Sequence, residues 1–246
     1  MKRFLKVYRV EQKLFLRSPD ILIFGICMPL VVLALIAMIG GGKTAGESNM
    51  TFLQSSFASL TTVGICCCAL MSIPIVVVDY RDKKVLKHLY CSPCSPAWML
   101  GAVTICSGVM ATVSAVLVAL AAVLFLGYRM PGNPVVFLLT WLLTLLSMFS
   151  IGLMIASLCR TVKSLNVVTS LVYFPMLLLS GAMIPYEIFP RGLQKAAQIM
   201  PLTQGIKLMK AASMGESLSG AGSIIALLAV ITVVCTTIAV KTFRWE

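Results

Sequence analysis

The sequence is short of charged residues. Only 11% of its 246 residues are Asp, Glu, Lys or Arg, whereas 59% are hydrophobic. A soluble domain is usually about a quarter charged. The chain has too few polar groups to cover the surface of a folded soluble protein, so an ordinary soluble enzyme and a disordered chain are excluded. A polytopic membrane protein remains, and the low charge favours spanning helices over a barrel with a polar lumen.

Acidic residues are especially scarce. Asp and Glu number 8 against 20 Lys and Arg, which gives a formal net charge of +12. In a membrane protein this excess indicates the positive-inside bias and contact with anionic lipids. No basic patch is interleaved with base-stacking aromatic residues, so we expect no nucleic-acid partner.

Several catalytic signatures are also missing. The one histidine, His88, excludes bis-histidine haem ligation and a zinc protease of the His-Glu-x-x-His type. There is no Gly-x-x-x-x-Gly-Lys-Ser/Thr phosphate loop, so any ATP chemistry must lie in another chain. We therefore predict neither enzyme activity nor a bound cofactor. The motif His88-x-x-Cys91-x-x-Cys94 is interpreted as a loop histidine with two reduced thiols, and a metal site is the alternative.

Six apolar segments are long enough to cross about 30 Å of hydrocarbon at about 1.5 Å per residue. They are roughly Ile21–Ile39, Phe57–Val78, Ala97–Leu126, Val135–Leu158, Leu165–Met183 and Gly222–Val240. None contains a charged residue, which argues against an ion-coupled carrier. Lys and Arg divide 14 to 6 between alternate sides, so both termini are predicted to be cytoplasmic. Residues 1–246 thus form a single all-α transmembrane domain.

The first 18 residues predict an amphipathic helix. Its basic residues fall within about 80° of each other on a helical wheel, opposite an apolar face. This pattern is typical of a helix in the membrane interface, with its basic face toward lipid phosphates. Glu11 lies in the middle of the apolar face, and it either pairs with a neighbouring Lys or Arg or contacts a partner. The residues singled out on this helix are Lys6, Arg9, Glu11 and Lys13.

Two further segments have patterns of their own. Residues 82–90, between the second and third spans, predict a short amphipathic helix that could act as a lever, and a solvated loop is the alternative. Residues 184–212 are interrupted by Gly and Pro too often to span a membrane. They predict two short helices that enter the outer half of the membrane and return, or else an interfacial outer loop.

A stripe of hydroxyl side chains follows the fourth span. Thr140, Thr144 and Ser147 share one face of that helix. Such a stripe serves either close packing and hydrogen bonding between helices or the lining of a path for an amphipathic solute.

The N-terminal amphipathic helix, the 82–90 segment and the 184–212 segment follow each other in this order. Together they resemble the permease subunits of type-2 ABC exporters, and the resemblance covers nearly the whole chain. The most specific stretch resembles the family signature before the last span. Its anchors are Ser180, Gly181, Pro185, Pro190, Leu193, Gln194, Pro201, Leu202 and Thr203. The segment from Asp79 to Pro96 is similar to the family's coupling-helix region. Where the family commonly has Glu-Arg and then Gly-Thr-Leu, this chain has Asp-Tyr-Arg-Asp and then Lys-Lys-Val-Leu.

The resemblance implies a permease dimer, with an identical or paralogous partner, and two copies of a cytoplasmic ATPase that would bind ATP and Mg. It also implies a bacterial inner membrane. The ATPase-coupling residues would be Asp79, Arg81, Asp82, Lys83, Lys84, Leu86, Lys87 and His88. The external gate would comprise Pro185, Pro190, Gln194, Pro201 and Thr203.

Together these observations predict the transmembrane subunit of an ATP-driven exporter of a hydrophobic or amphipathic substrate, such as a drug, a peptide or a lipid-like molecule. Two alternatives stay open. The chain could be an ATP-independent carrier or pore, or a membrane immunity or scaffold protein.

Overall fold

The computed structural model describes residues 2–18, 23–40, 52–83, 96–127, 130–181, 190–215 and 220–242. Within these ranges the chain forms helices and no strand, which confirms the all-α class. In chain order the helices are α1 (Lys2–Arg17), α2 (Met28–Gly40), α3 (Phe52–Cys67), α4 (Ile73–Asp82), α5 (Pro96–Leu126), α6 (Pro134–Leu158), α7 (Val162–Leu179), α8 (Arg191–Ile199), α9 (Pro201–Met214) and α10 (Gly222–Thr242). Short π-helical turns precede α2 (Ile23–Cys27) and join α3 to α4 (Cys68–Ser72).

Within the described ranges, five helical stretches are long and apolar enough to cross a membrane. They are Phe57–Asp82, Trp98–Phe125, Pro134–Leu158, Val162–Leu179 and Gly222–Thr242. These agree with the last five predicted spans, except that the fifth ends at Leu179 and not at Met183. The reason is a turn at Ser180 and Gly181, where Gly181 has a φ of 82° that favours glycine. Of the first predicted span, the structure describes a shorter apolar helix, Gly25–Leu35.

The continuous α3–α4 span lies at the centre of the protein and α10 at its edge. In the most apolar part of each span, 83% of the α3–α4 residues are buried but only 17% of the α10 residues. Helix α6 packs against α3–α4 at very close range. A Cβ atom added at Gly152 would lie 2.0 Å from the carbonyl oxygen of Ala69, so only glycine permits this approach of two backbones.

The observed helix ends differ from the predicted ones in one of the three segments: the N-terminal helix, the 82–90 segment and the 184–212 segment. Helix α1 has the extent that the amphipathic pattern predicts. Asp82, where a separate helix is predicted to begin, is instead the last residue of α4, and Lys83 forms the turn that follows. The rest of that predicted helix lies outside the described residues. In the described part of the 184–212 segment, α8 and α9 agree with the two short helices predicted there, and their entry into the membrane stays a prediction.

Candidate functional site

Helix α1 packs along α5 with its apolar face toward the rest of the protein. Phe15 is only 2% exposed, and Phe4 lies against Gly101. The opposite face carries the predicted basic residues, and all three are exposed: Lys6, Arg9 and Lys13. The apolar face therefore contacts helices of the same chain. The placement of α1 at a membrane interface stays a prediction.

Glu11 projects from this apolar face into the protein. Its side chain is 3% exposed, and the Tyr80 hydroxyl lies 3.0 Å from each carboxylate oxygen, to which it donates. Burial raises the pKa of the Glu11 carboxyl above its ordinary value of 4.5, and the bond from Tyr80 lowers this pKa by a smaller amount. The expected pairing with a neighbouring Lys or Arg is replaced, in the part of the chain described, by this contact with a distant tyrosine.

The next residue, Arg81, reaches a different helix. Its Nη1 atom donates to the backbone oxygen of Cys159 at 3.0 Å. Cys159 follows the last residue of α6, so the arginine satisfies a carbonyl group at a helix end, where no intrahelical donor is available. We call Glu11, Tyr80, Arg81 and Cys159 the anchor cluster. Through it, two consecutive residues of α4 hold α1 and α6.

The other predicted coupling residues differ from Arg81 in their surroundings. Lys83 Nζ lies 2.8 Å from Asp79 Oδ2, and the two side chains are 67% and 33% exposed. Asp82 is exposed. The remaining four predicted coupling residues lie outside the described residues: Lys84, Leu86, Lys87 and His88. Tyr80 was missed by the sequence reasoning, although a carboxylate in an apolar helix face was a sign that some buried donor had to meet it.

A cavity of about 520 Å³ lies between α1, the π-helical turn before α2 and the α3–α4 span. This volume is in the range of small-molecule sites, roughly 300–1,000 Å³. Polar groups line one part of the wall, and apolar and thiol side chains line most of the remainder. The lining residues are Glu11, Leu14, Phe15, Ser18, Gly25, Cys67, Cys68, Met71, Ser72, Ile75, Val76, Asp79, Tyr80 and Lys83.

The hydroxyl stripe of α6 is buried within the chain. Thr140 donates to the Phe137 carbonyl oxygen at 2.9 Å, and Thr144 donates to the Thr140 carbonyl oxygen at 2.8 Å. A Cβ atom added at Gly205 of α9 would lie 2.5 Å from Thr144 Cγ2, so α6 and α9 approach each other closely at this point. The stripe therefore takes part in helix packing, and its role as a pathway lining stays a prediction.

Two hydroxyl groups near this contact lack hydrogen bonds. Ser147 of α6 and Thr203 of α9 are 0% and 1% exposed, and their oxygen atoms have no partner among the described residues. A buried hydroxyl without a partner is unusual in a folded protein. Ser147 lies three residues along α6 from Thr144, and Thr203 lies two residues along α9 from Gly205. We call the Thr144–Gly205 approach, together with these two buried hydroxyls, the α6–α9 contact, and it differs from the well-bonded anchor cluster.

The described gate residues lie in the first turns of α8 and α9 or directly before them. Pro190 precedes α8 and is exposed, and its carbonyl oxygen accepts from the Gln194 backbone N–H at 3.1 Å. Pro201 begins α9, two residues before the buried Thr203. Pro185 lies outside the described residues. In the described ranges no group of three His, Cys, Asp or Glu side chains could hold a metal ion, and the His88–Cys94 motif is not within those ranges.

The comparisons with known proteins agree with this architecture. A sequence model of the ABC-2 type transporter family matches residues 3–214, and the chain belongs to that family. It is 28% identical over 142 residues to the inner membrane transport permease YhhJ of Escherichia coli K12, which covers 55% of this chain and 36% of the relative. It is also 28% identical over 152 residues to the probable multidrug ABC transporter permease YbhR of the same organism, covering 61% and 40%. The matched region thus spans about two fifths of these curated relatives.

Proposed function

We propose that this chain is the transmembrane subunit of an ATP-driven exporter in a bacterial inner membrane. It forms a translocation path for a hydrophobic or amphipathic substrate and is driven by a separate ATPase chain that binds ATP and Mg. Membership of the ABC-2 family supports the ATPase partner. The anchor cluster is the observation that carries the mechanism, since it joins three helices at the point where the most buried span leaves the bundle.

The anchor cluster gives a route for mechanical coupling. Tyr80 and Arg81 lie next to each other on α4, and they bond to α1 and α6 respectively. A push on the segment after Lys83 therefore moves α4 together with both neighbours. At the same end of α6, the hydroxyls of Ser157 and Thr242 lie 2.8 Å apart, which extends the connection to α10. We propose that an ATPase acts on this segment.

The exposed charges near the anchor cluster support a cytoplasmic position for this end of the bundle. Lys6, Arg9 and Lys13 of α1 and Lys83 after α4 are all exposed there. Cationic side chains next to an anionic leaflet contribute about 1 kcal/mol each. With this end inside the cell, both termini are cytoplasmic and α8 and α9 belong to the external side.

The α6–α9 contact supports a gate on that external side. A buried hydroxyl without a partner costs about 1–3 kcal/mol. Ser147 and Thr203 would regain hydrogen bonds to water or to a passing substrate if α9 moved away from α6. The hydrogen bonds gained on opening therefore offset part of the packing energy that is lost. In the open state the hydroxyl stripe of α6 becomes the wall of the path.

One face of α7 supports association with a second permease, identical or paralogous. Asn166 is exposed on this face beside Val167 and Leu171, which are 68% and 73% exposed. A polar amide is costly in contact with lipid tails, and such groups in membrane helices usually bond to a neighbouring helix. We propose that this face packs against the partner permease.

The test uses the chain co-purified with its ATPase subunit, whose gene we expect to find beside its own, and reconstituted in vesicles. Lys83→Glu reverses a charge at the exit of α4 and is expected to leave membrane insertion and ATP hydrolysis intact while transport falls at least about tenfold. Lys163→Glu is the matched control, because Lys163 is also exposed but begins α7 instead. Normal transport by Lys83→Glu would contradict the coupling role. ATP hydrolysis or uphill transport by the isolated chain would contradict the proposed function.

A further inference from the structure

The cavity beside α1 leads to an inference about a ligand. We propose that it binds an amphipathic cation, whose charged group pairs with Glu11 and whose apolar body lies against the α3–α4 span. The Glu11 side chain is 3% exposed and is nevertheless part of the cavity wall. It is therefore shielded from bulk solvent, and a cation inside the cavity would pair with it by displacing the Tyr80 hydroxyl from its oxygens.

The charge balance of the cavity favours a cation. Glu11, Asp79 and Lys83 are the charged residues among its described lining. Lys83 lies 2.8 Å from Asp79, and this pair is neutral. Glu11 receives hydrogen bonds only from the uncharged Tyr80 hydroxyl among the described residues, so its negative charge is not balanced there. A buried carboxylate is costly until a positive group pairs with it, and a cationic ligand would supply that group.

The remaining wall favours an apolar body on that cation. Phe15, Met71, Ile75 and Val76 line the cavity together with the thiols of the α3–α4 junction. Methionine and thiol side chains are polarisable and adapt to ligands of different shape. The volume of about 520 Å³ accommodates a drug-sized molecule and is far larger than a metal ion requires.

Binding at this site and transport are separate questions. The cavity and the carboxylate belong to this chain alone, so binding needs no ATPase. Only the further step, that the bound cation is exported, rests on the proposed function. A binding measurement on the purified full chain therefore tests the site, whereas the vesicle experiment tests the exporter.

The probe is radiolabelled tetraphenylphosphonium, measured by equilibrium dialysis with the full chain in mild detergent. Tetraphenylborate has nearly the same shape and the opposite charge. We expect saturable binding of the cation, much weaker binding of the anion, and a loss of at least about tenfold in cation affinity for Glu11→Gln. Equal binding of both probes, or wild-type affinity in a folded Glu11→Gln variant, would overturn the proposal.

Two further variants make the result specific. Val10→Lys adds the same unit of charge one residue before Glu11 on α1, at a side chain that is 58% exposed and outside the cavity lining, and is expected to change affinity less than about twofold because exposed charges are screened. Ile75→Trp keeps the carboxylate but puts a bulkier side chain into the cavity, so cation affinity should fall at least about tenfold. If Glu11→Gln does not fold, Ile75→Trp decides: unchanged binding in that variant would overturn the proposal.

The pH dependence of cation binding is an independent test of the role of Glu11. Cation affinity should fall as the pH is lowered through the raised pKa of Glu11, because the protonated carboxyl carries no charge. Among the described residues, the titratable groups near Glu11 are Tyr80 and Asp79 of α4, Lys83 directly after it, and Cys106 of α5. The same pH series with Glu11→Gln is the control, and an identical pH profile in that variant would overturn the assignment of the carboxylate.

Discussion

The anchor cluster and the α6–α9 contact hold helices together in different ways. In the anchor cluster, long side chains from one helix donate to a carboxylate and to a carbonyl group on two others. In the α6–α9 contact, a glycine lets two helices approach closely, and two buried hydroxyls have no described partner. The first contact is directional, and the second depends on van der Waals packing.

This difference fits the separate tasks that we propose for the two regions. A lever must keep its bonds while it moves, and hydrogen bonds to charged groups are the stronger kind in a protein. A gate must open and close, and a contact whose polar atoms gain partners on opening separates at lower cost. The comparison leads to predictions in order of decreasing expected effect on stability.

The largest effect is expected from Gly205→Val, which places side-chain atoms within the Thr144 side chain. Overpacking of this kind costs about 3 kcal/mol. The thermal unfolding midpoint of the purified chain should fall accordingly. Thr144→Ala in the same chain should restore much of the loss, because it removes the atoms that clash. Gly192→Val is the control, since a Cβ atom at Gly192 meets nothing within 4 Å. A midpoint unchanged by Gly205→Val would contradict the close α6–α9 contact.

Tyr80→Phe should have the next largest effect. It removes the hydrogen bonds to a buried carboxylate, worth about 2 kcal/mol. The loss is measured as a drop in unfolding midpoint at neutral pH. Tyr8→Phe is the matched control, because Tyr8 is also a half-buried tyrosine and lies on α1. If both tyrosine variants were equally stable, the Glu11–Tyr80 contact could not be the main link between α1 and α4.

The stability of the protein should also depend on pH through Glu11. The pKa of this carboxyl is raised in the folded state, so its favourable contribution is complete below the ordinary value of 4.5 and is lost as the pH rises through the raised pKa. Tyr80→Phe removes the bond that lowers this pKa and should extend the loss to higher pH. Glu11→Gln should remove this part of the pH profile, and a profile identical to the wild type would refute the assignment.

The smallest effect is expected from Lys83→Ala. The Lys83–Asp79 pair lies four residues apart on an exposed helix end, and such pairs contribute about 0.3–0.5 kcal/mol. The unfolding midpoint should therefore change little, and high salt should remove the difference between variant and wild type. A large loss would show that the exit of α4 is held more like the anchor cluster than we infer.

The sequence by itself determined the all-α class, the last five spans and the extent of α1. Each depends on a property of one local segment: a long apolar run, or a helical periodicity that repeats every few residues. The two short helices α8 and α9 were predictable for the same reason, because Gly and Pro interrupt the 184–212 segment locally. The end of α7 at Leu179 also has a local cause, the turn at Ser180 and Gly181, but the predicted span ran past this turn to Met183.

Only the tertiary structure decided what each face contacts. The helical wheel showed that Glu11 points the same way as the apolar face of α1, but its partner, Tyr80, lies 69 residues away. Arg81, whose predicted role toward an ATPase stays a prediction, also binds the end of α6, 78 residues further along. A repeating pattern gives the direction of a side chain on its own helix. Which helix lies in that direction depends on the packing of the whole bundle, and so do the cavity beside α1 and the contact at Gly205.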